Sequence, residues 1–296
     1  MRQARVRVDD QPMWYHCYNR IAGTRLDLPF EDIEKEQFVR LLHRVSRLYT
    51  VRVVAYQVMS NHFHLLCHAP SEEPCPEEIC RRYKAFHYGK RTLTPGSPAC
   101  RAWQARSRDV SWFMRHLQQL FTVWYNRSRP VSRRGSLWAD RFKHTLLESG
   151  SAVWNCWTYI ESNSVRAGMV PEAAAYRFCS YGAWRQSGRH PFSGHLRAVA
   201  LPMLQEALGI RDLVELREAM EQALPVGPQP EASARDMLDR RVGYWTQGMV
   251  IGSKLFLVSV MRRYRSFQAV ERHRAARMAS AGGALYAWRR LGPVSA

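Results

Sequence analysis

The sequence predicts an α+β protein, and three stretches near its start carry that expectation. Residues 14–20, Trp-Tyr-His-Cys-Tyr-Asn-Arg, are rich in aromatics and close on Gly23, as a strand ending in a turn would. Across 31–49 the period changes. Phe38, Leu41, Leu42, Val45, Leu48 and Tyr49 follow helical spacing, with Arg40, Arg44 and Arg47 elsewhere on the cylinder, which marks an amphipathic helix. Two apolar runs, 51–59 and 63–69, then flank the turn residues Ser60 and Asn61 and read as a β-hairpin.

The later elements are less uniform. Residues 70–107 hold Pro70, Pro74, Pro76, Pro95 and Pro98 around the basic stretch Arg81-Arg82-Tyr83-Lys84, and read as a loop-rich insertion that either touches phosphates or is a solvated surface. Asp109 can cap the next helix, whose stripe is Phe113, Leu117, Leu120, Phe121 and Trp124. The break at 126–135 carries Arg127, Arg129, Arg133 and Arg134 and no acid, a composition that could grip a nucleic-acid backbone. A strand is expected over 137–147, bringing Arg141, Lys143 and His144. The helix expected over 151–163 has Val153, Trp157 and Ile160 as its apolar stripe, and Gly168 and Pro171 stop the chain beyond Arg166. Residues 225–230, Pro-Val-Gly-Pro-Gln-Pro, have a linker composition, and after them lysine and arginine far outnumber acids, with helical spacing at Phe256, Val260 and Tyr264.

Composition bounds the partners. At 296 residues with 46% hydrophobic content the chain can bury a sizeable core, and 44 Lys and Arg against 25 Asp and Glu give a net charge of +19. Such a field favours a polyanion, of which nucleic acid is the expected one. No apolar run approaches the length of a membrane span and the first residues lead into no signal-like segment, so a cytoplasmic protein with no membrane partner is expected. The seven cysteines include no Cys-x-x-Cys pair, which argues against a disulfide framework or a zinc ribbon. Ten tryptophans and thirteen tyrosines could stack unpaired bases or simply fill the core.

The residues with the most specific chemistry are His62 and His64. Residues i and i+2 of a strand share a face, so the two imidazoles stand side by side, either as ligands of one divalent metal or as an ordinary half-buried strand face. On the helix at 151–163, Asn155, Tyr159 and Asn163 recur every four residues, so Tyr159 and Asn163 project together. If that helix face meets the histidine face, the two imidazoles and the amide oxygen of Asn163 can hold a metal that polarises a phosphate, and the Tyr159 phenol can attack it. The product is a phosphotyrosine ester that conserves the bond energy for rejoining.

Four motifs in order then resemble the HUH single-tyrosine transposases, in particular the REP-associated tyrosine transposases and their transposase-like relatives. They are Tyr15-His16-Cys17-Tyr18-Asn19-Arg20, Met59-Ser60-Asn61-His62-Phe63-His64-Leu65-Leu66, Gly135-Ser136-Leu137-Trp138-Ala139-Asp140-Arg141-Phe142-Lys143, and the run from Tyr159 through Asn163 and Arg166 to Val170. The resemblance spans about residues 10–185. It implies a ferredoxin-like or RRM-like sandwich, an antiparallel sheet with helices on one side, acting on single-stranded DNA folded into hairpins. It implies His62 and His64 as ligands of Mg²⁺ or Mn²⁺, Asn163 in the place of the third ligand, and Tyr159 as the nucleophile that forms a 5′-phosphotyrosine and frees a 3′-hydroxyl. The family often works as a homodimer. On this reading 1–200 form the catalytic domain, with the insertion at about 70–107, and 201–296 form a mostly helical basic extension behind a linker at about 225–233. Arg127, Arg129, Arg133, Arg134, Arg141, Lys143 and Arg166 are the candidate DNA contacts. Two other functions fit the same sequence: a domesticated protein that binds DNA hairpins without cutting, and an RNA-binding protein that uses an RRM-like sheet.

Overall fold

Strand β1 (Met13–Arg20) is hydrogen-bonded along both edges, antiparallel to β3 (His62–Ala69) on one side and to β4 (Lys143–Leu147) on the other. The computed structural model describes residues 10–23, 28–129, 134–227, 245, 248–264, 276–278 and 285–289. Strand β2 (Arg52–Val58) pairs with β3 as the expected hairpin, and helix α1 (Asp32–Leu48) connects β1 to it. The order β2-β3-β1-β4, with α1 and a later helix as crossovers, is the ferredoxin-like βαββαβ arrangement within an α+β fold.

Strand alternation divides the sheet into two unlike faces. In the β1–β3 register Cys17 opposes Leu65 and Tyr15 opposes Cys67, so these side chains share one face with Phe63. Onto that face pack α1 and α4 (Val110–Arg127), with the Phe38 ring 4.6 Å from Phe63 and 5.2 Å from Phe121. On the opposite face Tyr18 opposes His64 and Arg20 opposes His62. Helix α5 (Ser151–Glu161) covers it. The sheet is therefore sandwiched, not open on one side as an RRM-like surface would be.

The insertion at 70–107 differs from the expected loop. It forms α2 (Pro76–Phe86) and α3 (Pro98–Ser107), each starting on a proline. Proline lacks only an N–H that the first helical turn would leave unpaired, so these prolines begin helices instead of breaking them. Ser97 caps α3 by accepting from the Cys100 amide, and Arg82 on α2 donates to the Arg47 and Tyr49 carbonyls at the end of α1. The expected strand over 137–147 is likewise shorter. Its first half is a bend whose Trp138 ring turns into the core, donating from Nε1 to Thr122 Oγ1 at 3.0 Å; Trp138 makes one isolated bridge to Ile21 just past the end of β1, and the ladder itself is confined to Lys143–Leu147.

Beyond 200 the chain is helical over Leu201–Leu208, Leu213–Ala223 and Lys254–Tyr264, as expected. Three strands lie there as well, and these depart from the expected helical extension. Strand β5 (Gly248–Gly252) pairs parallel to β4, and β7 (Leu285–Arg289) and β6 (Ala276–Met278) come next, extending the sheet to seven strands. The short strand pattern Met249-Val250-Ile251 sits against a helix of similar composition, which periodicity alone does not separate. Residues 228–233 of the expected linker lie outside the described residues; Val226, at its start, bridges to Glu172.

A buried carboxyl fastens α5 to the helix Ser180–Ser187. Glu161, fully buried at the end of α5, accepts from the amide of Tyr181 at 3.1 Å, from Trp157 Nε1 at 3.3 Å and from the Ser180 hydroxyl. Burial nevertheless dominates and pushes its pKa up to about 7, against the lowering effect of those donors. Between the ordinary carboxylate value and about 7 the native state holds a proton that the unfolded chain has lost, so this group's contribution to stability falls as pH rises through that window, by about 3 kcal/mol in all. Urea unfolding at pH 5 and pH 8 checks this: Glu161→Gln, neutral throughout, should lose about 2.5 kcal/mol less than the wild type over that interval. Equal losses in both proteins would show that Glu161 is ionised across the range.

Candidate functional site

The site grows from β1 and β3. Both expected histidines lie on β3 facing α5, with ring centroids 5.2 Å apart and planes nearly perpendicular. Asn61, in the hairpin turn, faces His62 at 2.7 Å between Oδ1 and Nδ1. An imidazole that donates from Nδ1 to an amide oxygen keeps its lone pair on Nε2.

His64 is held by a residue outside the motif pair expected from the sequence. Its Nδ1 lies 2.9 Å from His16 Nε2 on β1, and His16 is wholly buried. The rings are tilted by only 19° with centroids 5.0 Å apart. An in-plane N–H···N bond between two rings set end to end gives a centroid spacing of about 5 Å, so this contact is a directed hydrogen bond and not face-to-face stacking. One imidazole must donate and the other accept. His16 Nδ1 makes no hydrogen bond of ordinary geometry, but the backbone of Trp245 set against the ring favours its protonated nitrogen. With His64 Nδ1 as the donor, His16 Nε2 accepts and His64 Nε2 keeps its lone pair.

Burial holds all three imidazoles neutral at pH 7. It takes His16 down to about 3 and His62 to about 4, the latter helped by the Arg20 charge, and it brings His64 well below its usual value, helped by His16, His62 and Arg166. Neutral imidazoles are what a divalent metal requires.

Tyr159 comes down on this face from α5. Its ring centroid is 5.8 Å from His64 and 5.9 Å from His16, both edge-on. Trp245 stacks on it at 5.5 Å, and the Arg166 guanidinium lies 4.1 Å from its centroid. Burial pushes the phenol up to about 12, while the Arg166 charge opposes the rise.

Asn163 does not continue the helix of Tyr159 in one line. α5 ends at Glu161, and α6 (Asn163–Arg166) starts after Ser162. Gln57 on β2, opposite His64, secures the break: with its amide oxygen toward α6 it accepts from the Ser164 amide at 2.8 Å and hydroxyl at 2.9 Å, and its nitrogen donates to the Ile160 carbonyl. Arg166 then joins the pieces, donating to the Tyr159 carbonyl at 3.1 Å, to Ser162 Oγ at 3.1 Å and to Asn163 Oδ1. The amide oxygen expected to reach a metal is thus engaged by Arg166.

The other basic residues divide. Lys143 opposes Tyr18 on the histidine face and is exposed, and exposed Arg20 opposes His62, so both add positive charge beside the site. Arg127, Arg134 and Arg141 are exposed. Arg129 instead pairs with buried Glu34 and lies 4.2 Å from the Tyr125 ring centroid, an internal tie. Arg133 lies outside the described residues. Among the described residues no three His, Cys, Asp or Glu side chains converge as a closed metal site, and no helix is long and apolar enough to cross a membrane.

No family model and no curated protein matches the sequence. Among solved structures, the chain is similar to a REP-associated tyrosine transposase bound to a REP hairpin, at 16% identity and a TM-score of 0.42, over 65% of this chain and 89% of that one.

The His16–His64 bond can be read directly. Long-range ¹⁵N–¹H NMR of the histidine rings should find His64 protonated at Nδ1 in the wild type, and His16→Ala should shift it toward the Nε2–H form. An Nε2–H tautomer in the wild type would reverse the direction of the bond.

Proposed function

We propose that the protein cuts and rejoins single-stranded DNA through Tyr159, with Mg²⁺ or Mn²⁺ held at His62 and His64. The observation that supports it most is the meeting of two strand histidines and one helix tyrosine, from segments far apart in sequence, on a single sheet face. The donor set fits a divalent ion: two neutral imidazoles, with Nδ1 of each directed to Asn61 or His16, leave both Nε2 atoms for one cation. Asn163 Oδ1 already accepts from Arg166 and has a second lone pair for the cation, and the remaining positions fall to water and the phosphate. A metal bound there would neutralise charge on a phosphate oxygen.

The chain's own residues do the rest. Arg20, Lys143 and Arg166 surround the site with positive charge and draw the phosphodiester in. Arg166 over the Tyr159 ring favours the phenolate, which burial opposes. Tyr159 Oη bonds to phosphorus as the bond from phosphorus to the 3′-oxygen breaks, and the phenolic proton ends on that oxygen. A 5′-phosphotyrosine and a 3′-hydroxyl result. In the reverse direction a 3′-hydroxyl takes the phosphate and Tyr159 recovers its proton, so no outside energy source is needed.

One observation favours a second reading, a hairpin-binding protein that does not cut. Tyr159 is only 6% exposed, with Trp245 and Arg166 against its ring. The RNA-binding alternative loses its main support, since α5 covers the face an RRM-like domain would use.

The test is a denaturing gel of the protein after incubation with labelled single-stranded hairpins and Mn²⁺. A protease-sensitive DNA adduct is expected, lost in Tyr159→Phe and with a chelator, and kept in Tyr18→Phe, whose ring lies 5.9 Å from His64 and is the nearest rival. Tight binding without an adduct under any divalent metal would leave the non-cutting reading. Loss in Tyr18→Phe alone would move the nucleophile to β1.

A further inference from the structure

Outside the histidine face, the described residues enclose one cavity with the makings of a ligand site. It lies between the outer flank of α4 and the bend that leads into β4, with a volume of about 550 Å³, within the usual range for small-ligand sites. Three of its features point to the same kind of guest. Trp112, 37% exposed, has two guanidiniums over its ring, Arg106 at 4.7 Å and Arg115 at 5.2 Å from the centroid, a stack that a base can join. Gln118 lies in the wall only 8% exposed, and its Nε2 has no hydrogen-bond partner among the described residues. Arg141 closes the other side, two residues before Lys143 on the histidine face.

An aromatic plane, a buried amide without a partner and flanking guanidiniums suit a flat heteroaromatic ring attached to phosphate. A buried donor left unpaired is costly, and an acceptor on the edge of a guest ring would recover that loss. A purely apolar guest would leave both the amide and the arginines unanswered. We infer that this cavity takes one unpaired nucleobase, stacked on Trp112 with its edge on Gln118 and its phosphates between Arg115 and Arg141. The inference rests on the nucleic-acid-binding part of the proposed function and adds to it a second place where the strand is held. Base and phosphate are common to DNA and RNA, so the experiment carries both.

The experiment measures binding of labelled oligomers of about twelve nucleotides, dU, rU and an abasic deoxyribose chain of equal charge, to the full-length Tyr159→Phe protein at one salt concentration. The base-bearing oligomers should bind about tenfold more tightly than the abasic one. Trp112→Ala should abolish that ratio while leaving the abasic affinity unchanged, and Trp112→Phe should restore it. Because Trp112 is partly exposed, its Tm is expected to hold, and a Tm match between the variants checks that. Loss of the ratio for either polymer supports the site, and the tighter of the two names its source. A ratio that persists in Trp112→Ala, or no ratio in the parent, overturns the site. Adduct formation by the wild type with a Trp112-independent ratio would sink this site alone; a Trp112-dependent ratio without any adduct would keep this site and remove the cutting reaction.

Discussion

The two-residue alternation of β1 and β3 is the constraint on which everything chemical in this chain depends. One set of side chains, Cys17, Phe63 and Leu65 among them, must reach α1 and α4, and the intervening set is thereby committed to the other side. His16, Tyr18, His62 and His64 belong to that second set. A slip of one residue in the register would send the imidazoles into the aromatic core and Phe63 toward α5, so the packing of the core and the position of the polar cluster are one choice. Phe63, at 0% exposure against Phe38 and Trp138, fixes the phase for its neighbours on either side.

The cluster is also largely buried. Burial depresses the basicity of each imidazole and raises that of the phenol, so the polar groups of this face sit in their neutral forms, while Arg20, Arg166 and Lys143 at its margin supply charge. Hydrogen bonds between neutral groups are then the least costly way to orient them, and the His16–His64, His62–Asn61 and Gln57–Ser164 contacts obey that rule. Arg166 acts in the same spirit on α6: a single guanidinium satisfies a carbonyl, a hydroxyl and an amide oxygen across a break in the helix.

Much of this is legible in the sequence where the signal is periodic. The helix at 31–49, the hairpin that carries His62 and His64, the Asp109 cap and the stripe of α4 all depend on neighbours within a few residues, and each stands where its spacing places it. The meeting of Tyr159 with His64 is only a supposition at that level, because it joins two segments through the sheet. His16, quoted there only as part of a motif, is given no role for a related reason. Its partner is 48 positions away and diagonal across the β1–β3 ladder, and a lone histidine in an aromatic strand looks like filling. Arg129 misleads in the opposite direction: a cluster of arginines suggests an anion outside, whereas Glu34, far away in sequence, takes one of them inside. Pro76 and Pro98 look like breakers in the sequence because their meaning depends on which side of them the helix lies.

The last strands have a consequence for how much of the chain a stable fragment needs. At the far side of the sheet β2 is shielded along its outer edge, where Ser180 Oγ accepts from the Tyr56 amide, His195 meets Val53 and the Phe178 carbonyl accepts from Val58. At the near side that service falls to β5, which lies beside Leu146 and Leu147 of β4. A protein shortened at the proline-rich stretch would keep every element of the βαββαβ core yet bare the backbone of Leu146 and Leu147, two buried apolar residues, to any passing chain. Open edges of that kind recruit further strands, so such a fragment would be prone to self-association through β4, and the strands β5 to β7 serve as the sheet's selvage.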